Sequence, residues 1–168
     1  MLFRSEVCQS FGILQAFHPH VGTLVETAAD VELALEETTS MWTLDTGHLA
    51  IGGVDPVAFA QQHADRVGHV HLKDVNMSLA AQVLSGEISL IKAVQDGIFV
   101  PLGTGDVDIA AAVEALESSR YAGRYVLEQD CAIMGDAPAE GEGPLADVRV
   151  CLDYLVREVE PRLATASV

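Results

Sequence analysis

Four short apolar runs punctuate this chain, and each closes on an imidazole or a carboxylate. Gly12–His18 (GILQAFH) ends at His18, and Met41–Leu44 (MWTL) leads into Asp45. Gly68–Leu72 (GHVHL) carries His71 near its end, and Arg124–Leu127 (RYVL) leads into Glu128. Runs this short, bounded by polar residues, suit buried strands. Helical stretches separate them, and strands that alternate with helices imply parallel βα units. Four such units make half of an eight-stranded barrel, which ordinarily takes ~250 residues. A doubly wound open sheet is the competing architecture.

The helical segments carry their own punctuation. Met1–Gln9 reads as the end of a helix that runs straight into the first strand. Thr27–Thr38 is expected to be helical, with Val31, Leu33 and Leu35 as its apolar residues. Asp55 suits an N-cap and Pro56 the first helical position, where its missing N–H costs nothing, in a helix reaching about Asp65. Leu84–Asp96 is expected to form a helix, Pro101–Asp106 (PLGTGD) a glycine loop, and Asp108 to cap a helix through Leu116 to Ser119. Gly135–Pro144 is a Pro/Gly/acid loop. Leu145–Val159 closes the chain as an amphipathic helix with Val148, Leu152, Leu155 and Val159 on one side.

Composition narrows the partners. Of the 168 residues, 49% are apolar and 20% charged, the balance of a globular chain. The net charge of −16 repels phosphate backbones and anionic headgroups, so neither nucleic acid nor a membrane is an expected partner. No apolar run approaches the ~20 residues of a bilayer span. The three cysteines (Cys8, Cys131, Cys151) are odd in number, widely spaced and free of CxxC pairs. That argues against a disulfide framework or a cysteine zinc site, and a reduced cytoplasmic protein is expected.

In parallel α/β proteins, chemistry gathers at the C-terminal ends of the strands. His18, Asp45, His71 and Glu128 all lie there. A mixed imidazole and carboxylate set suits Mn²⁺, Co²⁺, Mg²⁺, Fe²⁺ or Zn²⁺ with positions left for substrate oxygens. Each residue has a plainer reading by itself. A histidine at a strand end is often only hydrogen-bonded; Asp45 before Thr46-Gly47 can shape a turn; Glu128 can be a solvated acid. Four strands ending alike outweigh the single cases. Local context adds to this. Asp45-Thr46-Gly47-His48 packs an acid, a turn and an imidazole together. The two-residue period of His69-Val70-His71-Leu72-Lys73-Asp74 puts His69, His71 and Lys73 on one face. Lys73 can steady a developing enolate, or simply pair with Asp74 at the surface. His18-Pro19-His20 sets two imidazoles about a rigid residue. Gly103-Thr104-Gly105-Asp106 reads as a plain turn, since no GxGxxG or Walker pattern follows.

Five stretches together resemble the sugar phosphate isomerase/epimerase family with its xylose isomerase-like TIM barrel. They are FHPHVGTLVET (17–27), LDTGHLAIGGVDP (44–56), HVHLKDV (69–75), GIFVPLGTGDVDI (97–109) and YVLEQD (125–130). Their order and spacing are most similar to the inosose dehydratases. The resemblance implies a C-terminal half of a (β/α)8 barrel, truncated at its N-terminus. Residues 1–11 would then end a preceding helix, and residues 12–168 would hold strands five to eight with their helices in one partial domain.

The resemblance also implies Asp45, His71 and Glu128 as ligands of one divalent cation. His18 stands where many relatives carry a glutamate, and His20 is the other candidate for that place. His20, His48 and Lys73 are the expected catalytic residues, with His20 or His48 as base or proton shuttle. The implied activity is metal-dependent isomerisation or epimerisation of a polyhydroxy ketone or cyclitol through an enediolate. Inosose dehydration is one alternative outcome, and a catalytically inactive barrel fragment is another. The expected partner is a small sugar or cyclitol. A half barrel also leaves two open sheet edges, so the expectation is either a piece of a longer protein or a homo-oligomer paired through those edges.

Overall fold

The structure, a computed structural model, describes residues 2–166, with side chains from 6 to 164; Met1, the first residue of the expected opening helix, and residues 167 and 168 lie outside it. Helix α1 (Leu2–Ser10) ends where Gly12, at φ +67°, turns the chain in the left-handed region that glycine tolerates. Strand β1 (Ala16–Phe17) follows, and then α2 (Ala28–Glu37). Thr27 caps α2 in a capping box with Asp30. Strand β2 (Met41–Asp45) runs into the short α3 (Thr46–Ile51), and α4 (Pro56–His63) starts at the expected Asp55 cap and Pro56. Strand β3 is Val67–Leu72. Two short strands, β4 (Asp74–Val75) and β5 (Phe99–Val100), flank α5 (Met77–Leu84) and α6 (Leu90–Gln95). Helix α7 (Ile109–Ser118) is capped by Asp108 as expected, and β6 (Tyr125–Leu127), α8 (Pro144–Tyr154) and α9 (Glu160–Ala166) complete the chain.

Strands β1, β2, β3 and β6 form one parallel sheet in that order. Even-numbered residues of β2 and β3, Trp42, Leu44, Val70 and Leu72, point to one face and are fully buried there. Val31 of α2, Phe59 and Ala60 of α4, Leu116 of α7 and Cys151 of α8 pack against them in one core. Trp42 meets Phe17 and Phe59 at ring centroid distances of 5.2 and 5.8 Å. Each such buried side chain contributes on the order of 2 kcal/mol. At the foot of β3, the Arg66 guanidinium donates to the carbonyls of Thr38 and Ser40 at 2.9 Å. It thereby ties down the connection between α2 and β2. The opposite face of the sheet carries His18, Asp45, His71 and Glu128. Among the described residues no helix is long and apolar enough to cross a membrane, and Cys8, Cys131 and Cys151 are all unpaired.

The structure corrects four expectations. The first strand pairs only over Ala16–Phe17, because it has β2 alone as a partner; Ile13 and Leu14 before it stay exposed. Leu33 is exposed too: Val31 and Leu35 lie four apart on the core face of α2, and a residue midway between them points away. Leu84–Asp96 is not one helix. Gly86, at φ +76°, breaks it, Ser89 caps α6 anew, and an unexpected α5 precedes the break, capped by Asn76. The closing helix loosens into a π turn over Leu155–Val159, and Cys151 rather than Leu152 takes the buried position, leaving Leu152 exposed. The antiparallel pairing of β4 with β5 also had no forecast.

Candidate metal centre

The register of the sheet brings the four strand ends together. Asp45 sits opposite His71, and His71 opposite Val126, two residues before Glu128. The ligand-type atoms of His18, Asp45, His71 and Glu128 all lie within 4.8 Å of one another. Asp45 Oδ2 is 3.4 Å from both His18 Nε2 and His71 Nδ1, and His71 Nδ1 is 2.7 Å from Glu128 Oε2. All four atoms are buried, yet none makes a hydrogen bond of good geometry. Buried polar atoms without good hydrogen bonds are expensive, and a cation at the point that all four face would satisfy them. Two neutral imidazoles and two carboxylates also balance a dication. The donor set fits.

Asp45 has two jobs. Its Oδ1 accepts from the His48 amide at 2.8 Å and caps α3, while Oδ2 faces the cluster. One carboxylate thus shapes the turn through Oδ1 and turns Oδ2 toward the other three donors. Burial by itself would raise the Asp45 pKa. The nearby His18 and His71 imidazoles and the charge of Lys73 outweigh it and hold the group below the carboxylate range. The Asp45 carboxylate in turn raises His71 against the effect of burial. A ligated imidazole must be neutral, so protonation of His71 and cation binding there oppose one another.

Three further expected residues stand beside the cluster. Lys73 is 1% exposed, and its ammonium lies 3.0 Å from His48 Nε2, 3.1 Å from Glu128 Oε2 and 2.9 Å from Asp130 Oδ2. Burial would lower its pKa, but Asp45, Asp130 and Glu128 together raise it, and the amine stays charged. Its stem packs on Gly47, where an added Cβ would fall 2.7 Å from the lysine Cγ. Thr46 ties the same backbone down: its hydroxyl donates to the Lys73 carbonyl at 2.7 Å and accepts from the Lys73 amide at 2.8 Å. His48 is buried, and desolvation lowers its pKa to about 3, so it is neutral. Since an ammonium only donates, His48 Nε2 accepts, and the proton sits on Nδ1, which has no partner. His20 stacks on His48 with ring centroids 3.6 Å apart. Its Nδ1 donates to the Val21 carbonyl at 2.7 Å, which leaves Nε2 with its lone pair. Of the two candidates for the fourth ligand place, His18 joins the group and His20 does not. His69 stacks edge-on to His71 but lies outside the group.

Lys73 does not pair with Asp74, the surface reading considered above. Asp74 is buried and turns its carboxylate to the glycine loop: Oδ2 accepts from Gly103 and Gly105, each at 2.9 Å, and Oδ1 from Val107 at 3.0 Å and Val75 at 2.8 Å. The partner of Lys73 is Asp130, which the sequence reading passed over. Asp130 follows Glu128 by two residues but lies past the end of β6, where a strand's two-residue period no longer sets direction.

A parallel sheet backed by helices, with four metal-type donors gathered at the C-terminal ends of its strands, defines an α/β protein with its candidate site at the strand ends. The chain belongs to the xylose isomerase-like TIM barrel family, whose model matches residues 5–150. It is 39% identical over 128 residues to the rhizopine catabolism protein MocC of Rhizobium meliloti, covering 75% of this chain and 39% of that protein. It is 36% identical over 127 residues to an inosose dehydratase of Geobacillus thermodenitrificans, covering 73% and 43%. The chain thus spans about two fifths of the length of these relatives. Among solved structures, an L-ribulose 3-epimerase superposes with a TM-score of 0.67 at 20% identity over 97% of this chain and 52% of that one. The IolI protein with a bound zinc atom superposes at 0.61 and 16% identity over 94% and 52%.

Proposed function

We propose that these residues form the cation-binding and proton-handling side of a divalent-metal enzyme that enolises a polyhydroxylated ketone or cyclitol ketone. The relatives' names favour loss of water from an inosose as the outcome. One observation carries the reading: four buried donor atoms from four strand ends, none hydrogen-bonded, lie within 4.8 Å of one another. His18, Asp45, His71 and Glu128 would hold the cation, which suits Mn²⁺, Co²⁺, Fe²⁺, Mg²⁺ or Zn²⁺. The zinc in the IolI structure accords with this. A cation bound there supplies Lewis acidity toward a substrate carbonyl, easing removal of the adjacent proton.

The chain's own groups divide the remaining work. Lys73, charged and fixed, stands where negative charge develops on the substrate oxygen. His48 offers its Nδ1–H as a donor to a substrate oxygen and, being neutral with Nε2 engaged, does not serve as the base. His20 keeps a free Nε2 lone pair and is the better base of the two. Return of the proton to the former carbonyl carbon gives an isomer, and return to the opposite face of the carbon that lost it gives an epimer. Departure of the β-hydroxyl, protonated as water, gives the dehydrated product.

The span of about two fifths of the relatives favours one other reading, in which these residues bind the cation without turning substrate over. The test is to strip the purified chain with EDTA, titrate it with Mn²⁺, Co²⁺ and Zn²⁺, and assay 2-keto-inositol and simple ketoses. The expected result is about one bound equivalent, with turnover lost on stripping and restored on reloading. Binding without turnover supports the second reading. No binding, or full activity after stripping, refutes the metal assignment.

A further inference from the structure

We propose that Asp130 is a positioning residue: it anchors the Lys73 ammonium and keeps that charge from settling in the cation position. The inference rests on the metal reading above and adds a residue to it. The ammonium lies 3.1 Å from Glu128 Oε2 and 3.6 Å from Asp45 Oδ2, two of the four oxygens and nitrogens assigned to the cation. A lysine head group is itself a cation, so it competes with an incoming metal for those two oxygens.

The stem cannot resolve the competition by moving away. Lys73 is 1% exposed, its methylenes lie against the Gly47 backbone, and its head sits 4.8 Å from the Phe99 ring centroid. The head group therefore has a short arc. Toward the metal set are Glu128 and Asp45. Outside that set are the neutral His48 Nε2 at 3.0 Å and Asp130 Oδ2 at 2.9 Å. Among the described residues, Asp130 is the one carboxylate paired with Lys73 that is not in the metal set. It offers the ammonium a full counter-charge without asking Glu128 or Asp45 to supply it. Lys73 can then stay charged beside the metal, at substrate distance, rather than in its place.

A double-mutant cycle read as Mn²⁺ affinity tests this on the whole 168-residue chain. Asp130→Asn should weaken Mn²⁺ binding by roughly tenfold, because the ammonium turns toward Glu128. Lys73→Met should tighten binding, because the competitor is gone. Adding Asp130→Asn to Lys73→Met should then change affinity by less than about twofold. If Asp130 acted only as a nearby negative charge on the metal, its replacement would weaken binding equally in both backgrounds, and that result overturns the proposal. Equal affinity of Asp130→Asn and the unaltered chain also overturns it. Lys73→Gln provides the same background should Lys73→Met not fold. Failure of the unaltered chain to bind Mn²⁺ sinks the metal assignment and this inference with it; binding with no coupling sinks the inference alone.

Discussion

The Asp74 clamp is a severe test of how the site's frame is held. One buried carboxylate accepts four backbone N–H groups, two on each oxygen: Val75 and Val107 on Oδ1, Gly103 and Gly105 on Oδ2. Three of these donors come from the loop after β5, which the Asp106 amide also ties to the Val75 carbonyl at 2.9 Å. Close approach is possible because position 105 is glycine: a Cβ there would lie 2.4 Å from Asp74 Oδ1. A hydrogen bond to a charged acceptor contributes about 1.5–3 kcal/mol, and a buried donor left without a partner costs about 1–3 kcal/mol. The effects are not additive, and part of the loop can reach water. Asp74→Ala, which strands three long-range donors, should therefore cost about 4 kcal/mol. Asp74→Asn keeps one oxygen for two donors and turns an NH₂ on the other two, so it should cost about half as much. Urea unfolding followed by circular dichroism gives both values, with the slope unchanged if only stability moves. Hydrogen exchange at the Gly103, Gly105 and Val107 amides should quicken in step. A loss below about 1 kcal/mol for Asp74→Ala, or unchanged exchange at those amides, would show that the clamp holds nothing.

Two further substitutions separate roles that share a residue. Asp45→Asn keeps an oxygen for the His48 amide but replaces the ligand oxygen, whereas Asp45→Ala removes both. Each should abolish Mn²⁺ binding in a calorimetric titration, and the alanine variant should be less stable than the asparagine variant by about 1 kcal/mol, the value of the lost cap. Gly103→Ala forces a side chain into φ +82° and sets its Cβ 2.3 Å from the Tyr154 ring, so denaturant unfolding should register a loss of about 2–4 kcal/mol.

Much of this arrangement was legible because it depends on local rules. Caps at Asp55 and Asp108 are chemistry between a side chain and amides two or three residues on, and sequence carries that directly. The face shared by His69, His71 and Lys73 follows from the two-residue period of a strand. What was missed depends on something beyond a local window. The apolar character of Leu84–Asp96 continued across Gly86, so composition suggested one helix where backbone conformation made two. The exposure of Leu152 came from a π turn three residues later, which shifts which side of the helix meets the core. Asp130 lies beyond the last paired residue of β6, where no periodicity constrains direction, and only the position of Lys73 in three dimensions gives it a purpose.

The convergence of the four donors is a property of stagger rather than of any one strand. Phe17 pairs with Trp42, so His18 stands level with Thr43, two residues short of Asp45. Asp45 is level with His71. Leu127 pairs with Leu72, so Glu128 stands level with Lys73, two residues beyond His71. Along the sheet the ligand positions thus run two behind, level, level and two ahead. Strands in a barrel of this kind tilt by about 36°, which shifts neighbours by about one residue at each step. A row of residues at one height above such a sheet must therefore climb through the register, and only even offsets keep the side chains on one face. Offsets of two, zero and two satisfy both conditions, while neighbouring strands about 4.8 Å apart set the donor spacing. A slip of one residue in any pairing would turn a ligand into the helix-packed face. The hydrophobic alternation that buries Trp42, Leu44, Val70 and Leu72 against the helices therefore also fixes where the four proposed ligands meet.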